Sequence, residues 1–160
     1  MDATVFRDTI VKPALVGLDQ WSEWAEKLIM GTAAQESHLI STRQVDSGPA
    51  LGYFQMEPAT YDDCWTNYID FRAALKAKVL AVRAAPGTHQ AADLETNPKH
   101  AAAMARVRYM RVLESIPTDG QGIARYWKTY YNTPLGAGTV ADFIANWNRY
   151  LAPSLYPPIN

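Results

Sequence analysis

The sequence of 160 residues lacks several features that would place it in a special class of protein. It contains one cysteine, Cys64, so no internal disulfide can form and we expect the fold not to depend on oxidation. No stretch approaches the roughly 18 consecutive apolar residues of a membrane-spanning helix. The first residues, MDATVFRDTI, include acids and no apolar core. The sequence therefore predicts no membrane span and no secretory signal peptide.

The motifs of nucleotide-binding and metal-binding sites are also missing. No glycine-rich phosphate loop precedes a predicted helix, which disfavours a nucleotide-dependent enzyme. His38, His89 and His100 have no ligand spacing, so we expect no metal site and no cofactor. Cys64 has no evident base near it in the sequence and is expected to be a small core residue.

Charged residues are few, at 19%, and they are unevenly divided along the chain. Residues 1–70 carry 11 acidic and 4 basic side chains, a net charge of −7, and residues 71–160 carry 5 acidic and 11 basic ones, a net charge of +6. The basic half could face an anionic polymer such as peptidoglycan, and the acidic half could surround a catalytic cleft. Neutralisation of the two halves across one core explains the split equally well. Nucleic acid is not an expected partner, because the basic residues are not clustered and the net charge is −1.

Hydrophobic residues make up 48% of the chain, which is enough to bury a core at this length. We expect a single domain over residues 1–160, with an N-terminal helix at 1–17, a core at 18–152 and a proline-rich tail at 153–160. Three tryptophans are expected in this core rather than as sugar-binding platforms: Trp65, Trp127 and Trp147.

Apolar residues recur at helical spacing along most of the chain, which predicts a mainly α-helical fold with at most a short hairpin near residues 41–52. The second predicted helix begins at Gln20 with Asp19 as its N-cap, and its buried face includes Trp21 and Trp24. The other predicted helices cover residues 4–16, 58–68, 70–84, 98–115, 121–132 and 138–151. Three arginines of the 98–115 helix are expected on a solvated face: Arg106, Arg108 and Arg111.

Glu36 lies on the buried face of the second predicted helix, four residues after Thr32 and seven after Ile29. Burial and the partial negative charge at a helix C-terminus would both raise its pKa. A glutamic acid that is protonated near neutral pH is what a glycosidase uses to protonate a leaving oxygen. The alternative is a structural glutamate that pairs with Arg43 or caps the following loop.

The residues after Glu36 form a long, spaced motif. Glu36-Ser37 end a predicted helix, a loop follows, and the sequence GPALGYFQMEPAT covers residues 48–60. This resembles the soluble lytic transglycosylase family, related to goose-type lysozymes, which shows Glu-Ser, a loop, Gly-Ala-x-Gly-Leu-Met-Gln and then Met-x-Pro-x-Thr. The matching residues are Glu36, Ser37, Ala50, Gly52, Gln55, Met56, Pro58 and Thr60.

A second segment supports the resemblance. Tyr130-Tyr131-Asn132 followed by GAGTV at 136–140 is similar to the family's Ala-Tyr-Asn-Ala-Gly-x-Gly-x-Val segment, and Asn97-Pro98 is similar to its Asp-Pro helix start. The similarity spans about residues 30–150, with dense identity at 33–60 and 130–140. Three departures are the insertion of Pro49, the replacement of Leu-Met by Tyr53-Phe54, and the longer turn Thr133-Pro134-Leu135.

The resemblance implies a lysozyme-like helical fold and cleavage of the bond between N-acetylmuramic acid and N-acetylglucosamine. Glu36 would protonate the glycosidic oxygen and then take the proton of the muramoyl C6 hydroxyl, closing a 1,6-anhydro ring. The implied substrate contacts are Ser37, Gly52, Tyr53, Gln55, Tyr131 and Asn132. A hydrolytic lysozyme would also need a base to position water, for which Asp46 is the first candidate and a turn-forming aspartate the alternative. Three weaker candidates flank a helix start: Glu57, Asp62 and Asp63.

These features together predict a phage enzyme, made in the host cytoplasm and acting on peptidoglycan strands. It would reach the wall through a holin or as a component of the virion, where other virion proteins would be its partners. A phage structural protein that keeps the fold without turnover is the first alternative. A carbohydrate-binding module without chemistry is the second.

Overall fold

The computed structural model describes residues 1–40 and 48–160, and this part of the chain is built from helices and turns. The α-helices, in chain order, are α1 (Ala3–Phe6), α2 (Lys12–Gly17), α3 (Glu23–Ser37), α4 (Pro58–Asn67), α5 (Ala73–Arg83), α6 (Asp93–Thr96), α7 (Pro98–Met110), α8 (Gly120–Trp127) and α9 (Val140–Tyr150). Two π-helical segments, Arg7–Val11 and Lys128–Asn132, continue α1 into α2 and extend α8, and a 3₁₀ turn covers Ile69–Phe71.

Extended structure is limited to one antiparallel bridge between Leu51 and Met56 in the described residues. The expectation of a mainly helical fold with at most a short hairpin is therefore confirmed for this part of the chain. Arg43 and Asp46 lie outside the described residues. None of the described helices is both long enough and apolar enough to cross a membrane.

The starts of the later helices follow local signals in the sequence. The Asn97 side chain accepts a hydrogen bond from the backbone N–H of His100 at 3.1 Å, and Pro98 occupies the first turn of α7. Pro58 likewise occupies the first turn of α4, which has no side-chain cap. The start predicted for α3 is wrong, because Ser22 caps that helix and Asp19 adopts a left-handed backbone conformation with φ of 58°.

Trp21 is consequently outside α3 and 47% exposed, rather than on the buried face that the sequence predicts for it. Its indole N–H donates to Oε2 of Glu26 at 2.8 Å, and the Tyr156 hydroxyl donates to Oε1 of the same carboxylate at 2.8 Å. These two bonds satisfy a carboxylate that is buried near the start of α3.

The helix predicted at 98–115 ends at Met110, and a short helix, α6, lies in the polar stretch before it. The three arginines expected on a solvated face are partly buried and bonded instead. Arg106 donates to Gln20, Arg108 to the carbonyl of Tyr131, and Arg111 to Asp63.

The core is centred on α3, in which nine of the ten residues from Ala25 to Ala34 are buried, Lys27 being the exception. Gly31 lets α9 approach closely, since a Cβ at this position would lie 2.4 Å from Cζ of Phe143. The buried side chains form one cluster that extends from Ala3 to Ile159. Four residues expected in the core are buried within it: Cys64, Trp65, Trp127 and Trp147.

The proline-rich tail packs back onto this core without forming a helix. The indole N–H of Trp147 donates to the carbonyl of Pro157 at 3.0 Å. The Asn148 side chain exchanges two hydrogen bonds, both 2.8 Å, with the backbone of Ile159. The tail is therefore fixed to α9 by side chains on two successive residues of that helix.

Candidate active site

Glu36 is one residue from the C-terminus of α3, and its carboxyl group is held by an indole. The N–H of Trp127, which is fully buried at the end of α8, donates to Oε1 of Glu36 at 2.9 Å. Burial raises the pKa of Glu36 to about 7, although the Trp127 hydrogen bond and the charge of Arg108 act in the opposite direction. Such a group is protonated in a large fraction of molecules at neutral pH, as a general acid requires.

The backbone turns away directly after this carboxyl group. His38 and Leu39 both have left-handed conformations, with φ of 53° and 61°. The imidazole of His38 stacks on the ring of Tyr150 with 5.1 Å between ring centroids, which ties the end of α3 to α9. Ser37 donates its hydroxyl to the carbonyl of Ala33 at 3.2 Å, so it stays close to the helix.

Tyr131 connects three parts of the site. It lies in the π-helical segment that extends α8 and is only 4% exposed, and its hydroxyl donates to the carbonyl of Phe54 at 2.7 Å. The guanidinium of Arg108 lies 4.3 Å from the centroid of its ring and donates to its backbone carbonyl at 2.5 Å. Burial and the nearby Glu36 carboxylate raise the pKa of Tyr131, so its phenol stays protonated.

Asn132 begins a turn that lies against the end of α3. Lys128 donates to Oδ1 of Asn132 at 2.8 Å and to the carbonyl of Gly136 at 2.9 Å. A Cβ at Gly138 would lie 2.8 Å from the Trp127 ring and 3.4 Å from Nε2 of Gln35, the neighbour of Glu36. The turn after Asn132 therefore lies against Trp127, whose indole holds the Glu36 carboxyl group, and against Gln35. Its closeness to Trp127 leaves no room for a side chain at residue 138.

The loop from Leu51 to Met56 reaches the site through the bond between Tyr131 and Phe54. Gly52 is buried with φ of 71°, and the position of a Cβ would be 2.1 Å from the carbonyl oxygen of Leu94. Packing on Leu94 thus requires a glycine here, whether or not the backbone also approaches a sugar. The Gln55 side chain donates to the carbonyl of Gly52 at 2.8 Å, within the same turn.

Tyr53 is turned into the core. Its ring is 7% exposed and packs on Phe6 with 4.8 Å between centroids. Its predicted role as a substrate contact is not supported by this position. The apolar bulk of residue 53 serves to attach the loop to the N-terminal helix.

Glu36 and Tyr131 lie close enough for the carboxylate to influence the phenol, and Arg108 faces both of them. Ser37 follows Glu36 at the end of α3, and Asn132 follows Tyr131 in the π-helical segment. Asp46 lies outside the described residues. Of the weaker base candidates, Asp63 is engaged by Arg111 at 2.6 Å and by Asn67, while the other two are exposed: Glu57 and Asp62.

Three further residues contribute to the site although the sequence alone does not assign them to it. The sequence predicts Trp127 only in the core and Arg108 only on a solvated face, and it gives Lys128 no role. The signal for Trp127 is its spacing of four residues before Tyr131, which places both side chains on the same side of a helix.

The described residues contain no group of three or more side chains that could hold a metal ion. Comparison of the chain with protein-family models, with curated proteins and with solved structures found no match. The geometry around Glu36 and the motif in which that residue lies are therefore the features that point to a function.

Proposed function

We propose that the protein cleaves the β-1,4 bond between N-acetylmuramic acid and N-acetylglucosamine in bacterial peptidoglycan, as a lytic transglycosylase. The observation that carries the proposal is the Glu36 carboxyl group, which is partly buried at the end of α3, is bonded by the Trp127 indole and has a pKa raised to about 7. Its place in the spaced motif of residues 36–60 supplies the substrate class, because that motif resembles the lytic transglycosylases.

Glu36 acts twice in the proposed reaction. In its protonated form it gives a proton to the glycosidic oxygen, and the N-acetyl group of the substrate helps to stabilise the cationic sugar centre. The carboxylate then takes the proton of the muramoyl C6 hydroxyl, whose oxygen attacks C1 and closes the 1,6-anhydro ring. One carboxyl group suffices, in contrast to the two of most glycosidases. A pKa of about 7 favours this double use, because both protonation states are accessible near neutral pH.

The neighbours of Glu36 support the proposal by their arrangement. The turn that begins at Asn132 and that Lys128 holds lies against Trp127, the indole that bonds the carboxyl group. The charge of Arg108 is attracted to the carboxylate form of Glu36. We expect these groups to form one wall of the sugar-binding cleft, and Ser37 and Gln55 to contribute hydrogen bonds from the other side.

The test is mass spectrometry of the soluble products released from purified peptidoglycan by the wild type and by Glu36→Gln. We expect muropeptides ending in 1,6-anhydromuramic acid with the wild type and a loss of at least about 100-fold in the variant, since proton transfer by a positioned acid contributes about 10²–10⁴-fold. Glu114→Gln makes the same chemical change at an exposed carboxylate and is expected to keep full activity.

Other products would lead to other conclusions. Reducing-end muramic acid would identify a hydrolytic lysozyme, and Asp46 would be the next residue to change. The absence of any product from folded wild type would contradict the enzymatic proposal and favour a phage structural protein that retains the fold. The burial of Tyr131, whose hydroxyl is bonded to Phe54, is the observation that favours this second candidate.

The biological setting is part of the same proposal. We expect a phage protein that reaches the wall either through a holin or as a part of the virion. Detection of the protein in purified particles would identify the second route, and its presence only in the free fraction of lysates would identify the first.

A further inference from the structure

Trp127 contacts the carboxyl group of Glu36 directly and is fixed in place by its surroundings. It has no exposed surface, and the ring of Phe143 packs on it with 5.4 Å between centroids. On another edge the backbone of Gly138 is so close that a Cβ there would be 2.8 Å from Cη2 of the indole. The ring therefore has no room to rotate, and its N–H keeps one direction.

The indole N–H is a donor and has no lone pair with which to accept a proton. Because a carbonyl oxygen is a better acceptor than a hydroxyl oxygen, this hydrogen bond favours Oε1 of Glu36 as the carbonyl-type oxygen of the protonated acid. The acidic proton is then favoured on the other oxygen, Oε2. A carboxyl group without such a donor could carry its proton on either oxygen.

We propose that Trp127 is a positioning residue, which fixes the orientation of the Glu36 carboxyl group and favours the transferable proton on Oε2. This inference rests on the proposed function for its catalytic meaning. Its structural content, a fixed bond from Trp127 to Oε1, can be tested without any turnover.

The same bond influences the ionisation of Glu36. A donor to the carboxylate stabilises the charged form, and this contact acts against the effect of burial. The other ionisable groups that face Glu36 among the described residues are Arg108 and Tyr109 on α7 and Tyr131 on the π-helical segment. Arg108 also favours the carboxylate, and the two phenols have raised pKa values and stay neutral. Loss of the indole N–H therefore removes one of the effects that lower the pKa of Glu36, and this pKa is expected to rise.

A second buried tryptophan offers a matched control. Trp147 is also buried, and its N–H donates to the carbonyl of Pro157 at 3.0 Å rather than to a carboxyl group. Trp147→Phe and Trp127→Phe remove the same atoms from the core, so both lose packing and a hydrogen bond. Only Trp127→Phe removes a bond to Glu36.

The experiment is an NMR titration of protein with ¹³C-labelled glutamate and ¹⁵N-labelled tryptophan. In the wild type we expect the indole N–H signal of Trp127 to shift with a midpoint near pH 7, the pKa of Glu36, while that of Trp147 does not follow this titration. In Trp127→Phe the carboxyl carbon of Glu36 is expected to titrate at higher pH than in the wild type, and in Trp147→Phe at the wild-type pH. A Trp127 signal that ignores the titration of Glu36, or an unchanged Glu36 midpoint in folded Trp127→Phe, would overturn the inference.

Once the products have been identified, steady-state kinetics test the contribution of Trp127 to catalysis. Trp127→Phe is expected to lower kcat by roughly 10- to 100-fold with little change in KM, as a misplaced catalytic group does. The alkaline limb of its pH profile should also move to higher pH, whereas Trp147→Phe keeps the wild-type limb. If the wild type releases no products, the proposed function fails while the NMR result for Trp127 still stands on its own.

Discussion

At the scale of single residues, two glycines with left-handed backbones differ in what surrounds them. Gly52 has φ of 71° and faces the carbonyl oxygen of Leu94, 2.1 Å from the position of a Cβ. Gly87 has φ of 77° and nothing within 4 Å of that position. An alanine is therefore strained at both positions, but it collides with a neighbour only at residue 52.

We predict that Gly52→Ala lowers the free energy of unfolding by about 1–3 kcal/mol more than Gly87→Ala does, because the contact with Leu94 forces a backbone shift. Gly87→Ala should lower the free energy of unfolding by only about 1–2 kcal/mol, because alanine is less stable than glycine in a left-handed conformation. Urea denaturation of both variants measures the difference. Equal losses in the two variants would show that the approach of α6 to residue 52 contributes nothing.

The sequence identifies Glu36 but not its partners, and the reason is physical. Its position on a buried helical face is local information, and the motif after it adds a family context. The bond from Trp127 joins residues 91 positions apart, so no periodicity reveals it. Asp19 is a suitable N-cap by residue type alone, yet Ser22 is equally suitable and is the residue that caps α3.

At the scale of elements, the contact between α3 and α9 depends on a single small residue. The ring of Phe143 on α9 lies where a side chain at Gly31 would be, with Cζ 2.4 Å from the position that a Cβ would take. The glycine is in the middle of a long helix, where it is normally unfavourable by roughly 0.5–1 kcal/mol relative to alanine. Gly31 therefore serves to let α3 and α9 pack closely against each other.

Gly31→Ala is predicted to destabilise the protein by about 1–3 kcal/mol despite the better helix propensity of alanine, because the core is overpacked. Phe143→Leu alone should also destabilise, since it removes buried apolar volume. The double variant should be more stable than the sum of the two losses implies, and a double-mutant cycle measures this coupling. Strict additivity would mean that the two residues do not interact.

The sequence predicts helices well where their ends are set by local residues, as at Pro58 and Asn97. It does not locate α6, because the segment from 84 to 93 is organised by one side chain from the helix before it. The guanidinium of Arg83 bonds Asp93 and the carbonyls of Ala85, Gly87 and Thr88. The sequence does not indicate this role of Arg83, because an arginine at the end of a helix is equally typical of a solvent-exposed position.

At the scale of the whole molecule, two buried ionisable groups oppose each other in their effect on stability. Burial raises the pKa of Glu36 from 4.5 to about 7, so its contribution is present below pH 4.5 and is lost as the pH rises to 7. Burial lowers the pKa of His100 from 6.5 to about 4, so its contribution is present above pH 6.5 and is lost as the pH falls to 4. Each effect amounts to about 3 kcal/mol.

We predict that the free energy of unfolding of the wild type depends less on pH between 4.5 and 6.5 than that of Glu36→Gln, because the effects of Glu36 and His100 oppose each other. Glu36→Gln leaves the effects of His100 and His89, which act in the same direction, so its stability should fall as the pH is lowered through this range. His100→Gln removes the His100 effect, so its stability should fall relative to that of the wild type as the pH is raised. Denaturation curves at several pH values give the slopes.

The slopes are compared within each variant, so a general loss of stability from either substitution does not affect the result. The groups around His100 are Tyr61, His89, Asp93 and Arg83. They are unchanged in Glu36→Gln and act equally in the wild type. Parallel curves for the wild type and both variants would contradict the opposing roles of these two groups.

The cluster that joins Ala3 to Ile159 has a consequence for how the protein is made. The carboxylate of Glu26 accepts a hydrogen bond from Tyr156, and the indole of Trp147 donates one to the carbonyl of Pro157. A growing chain on the ribosome therefore cannot close this core while those residues are still in the exit tunnel. Helix α3, which carries Glu36, would remain partly exposed until residues 156 and 157 have left the exit tunnel.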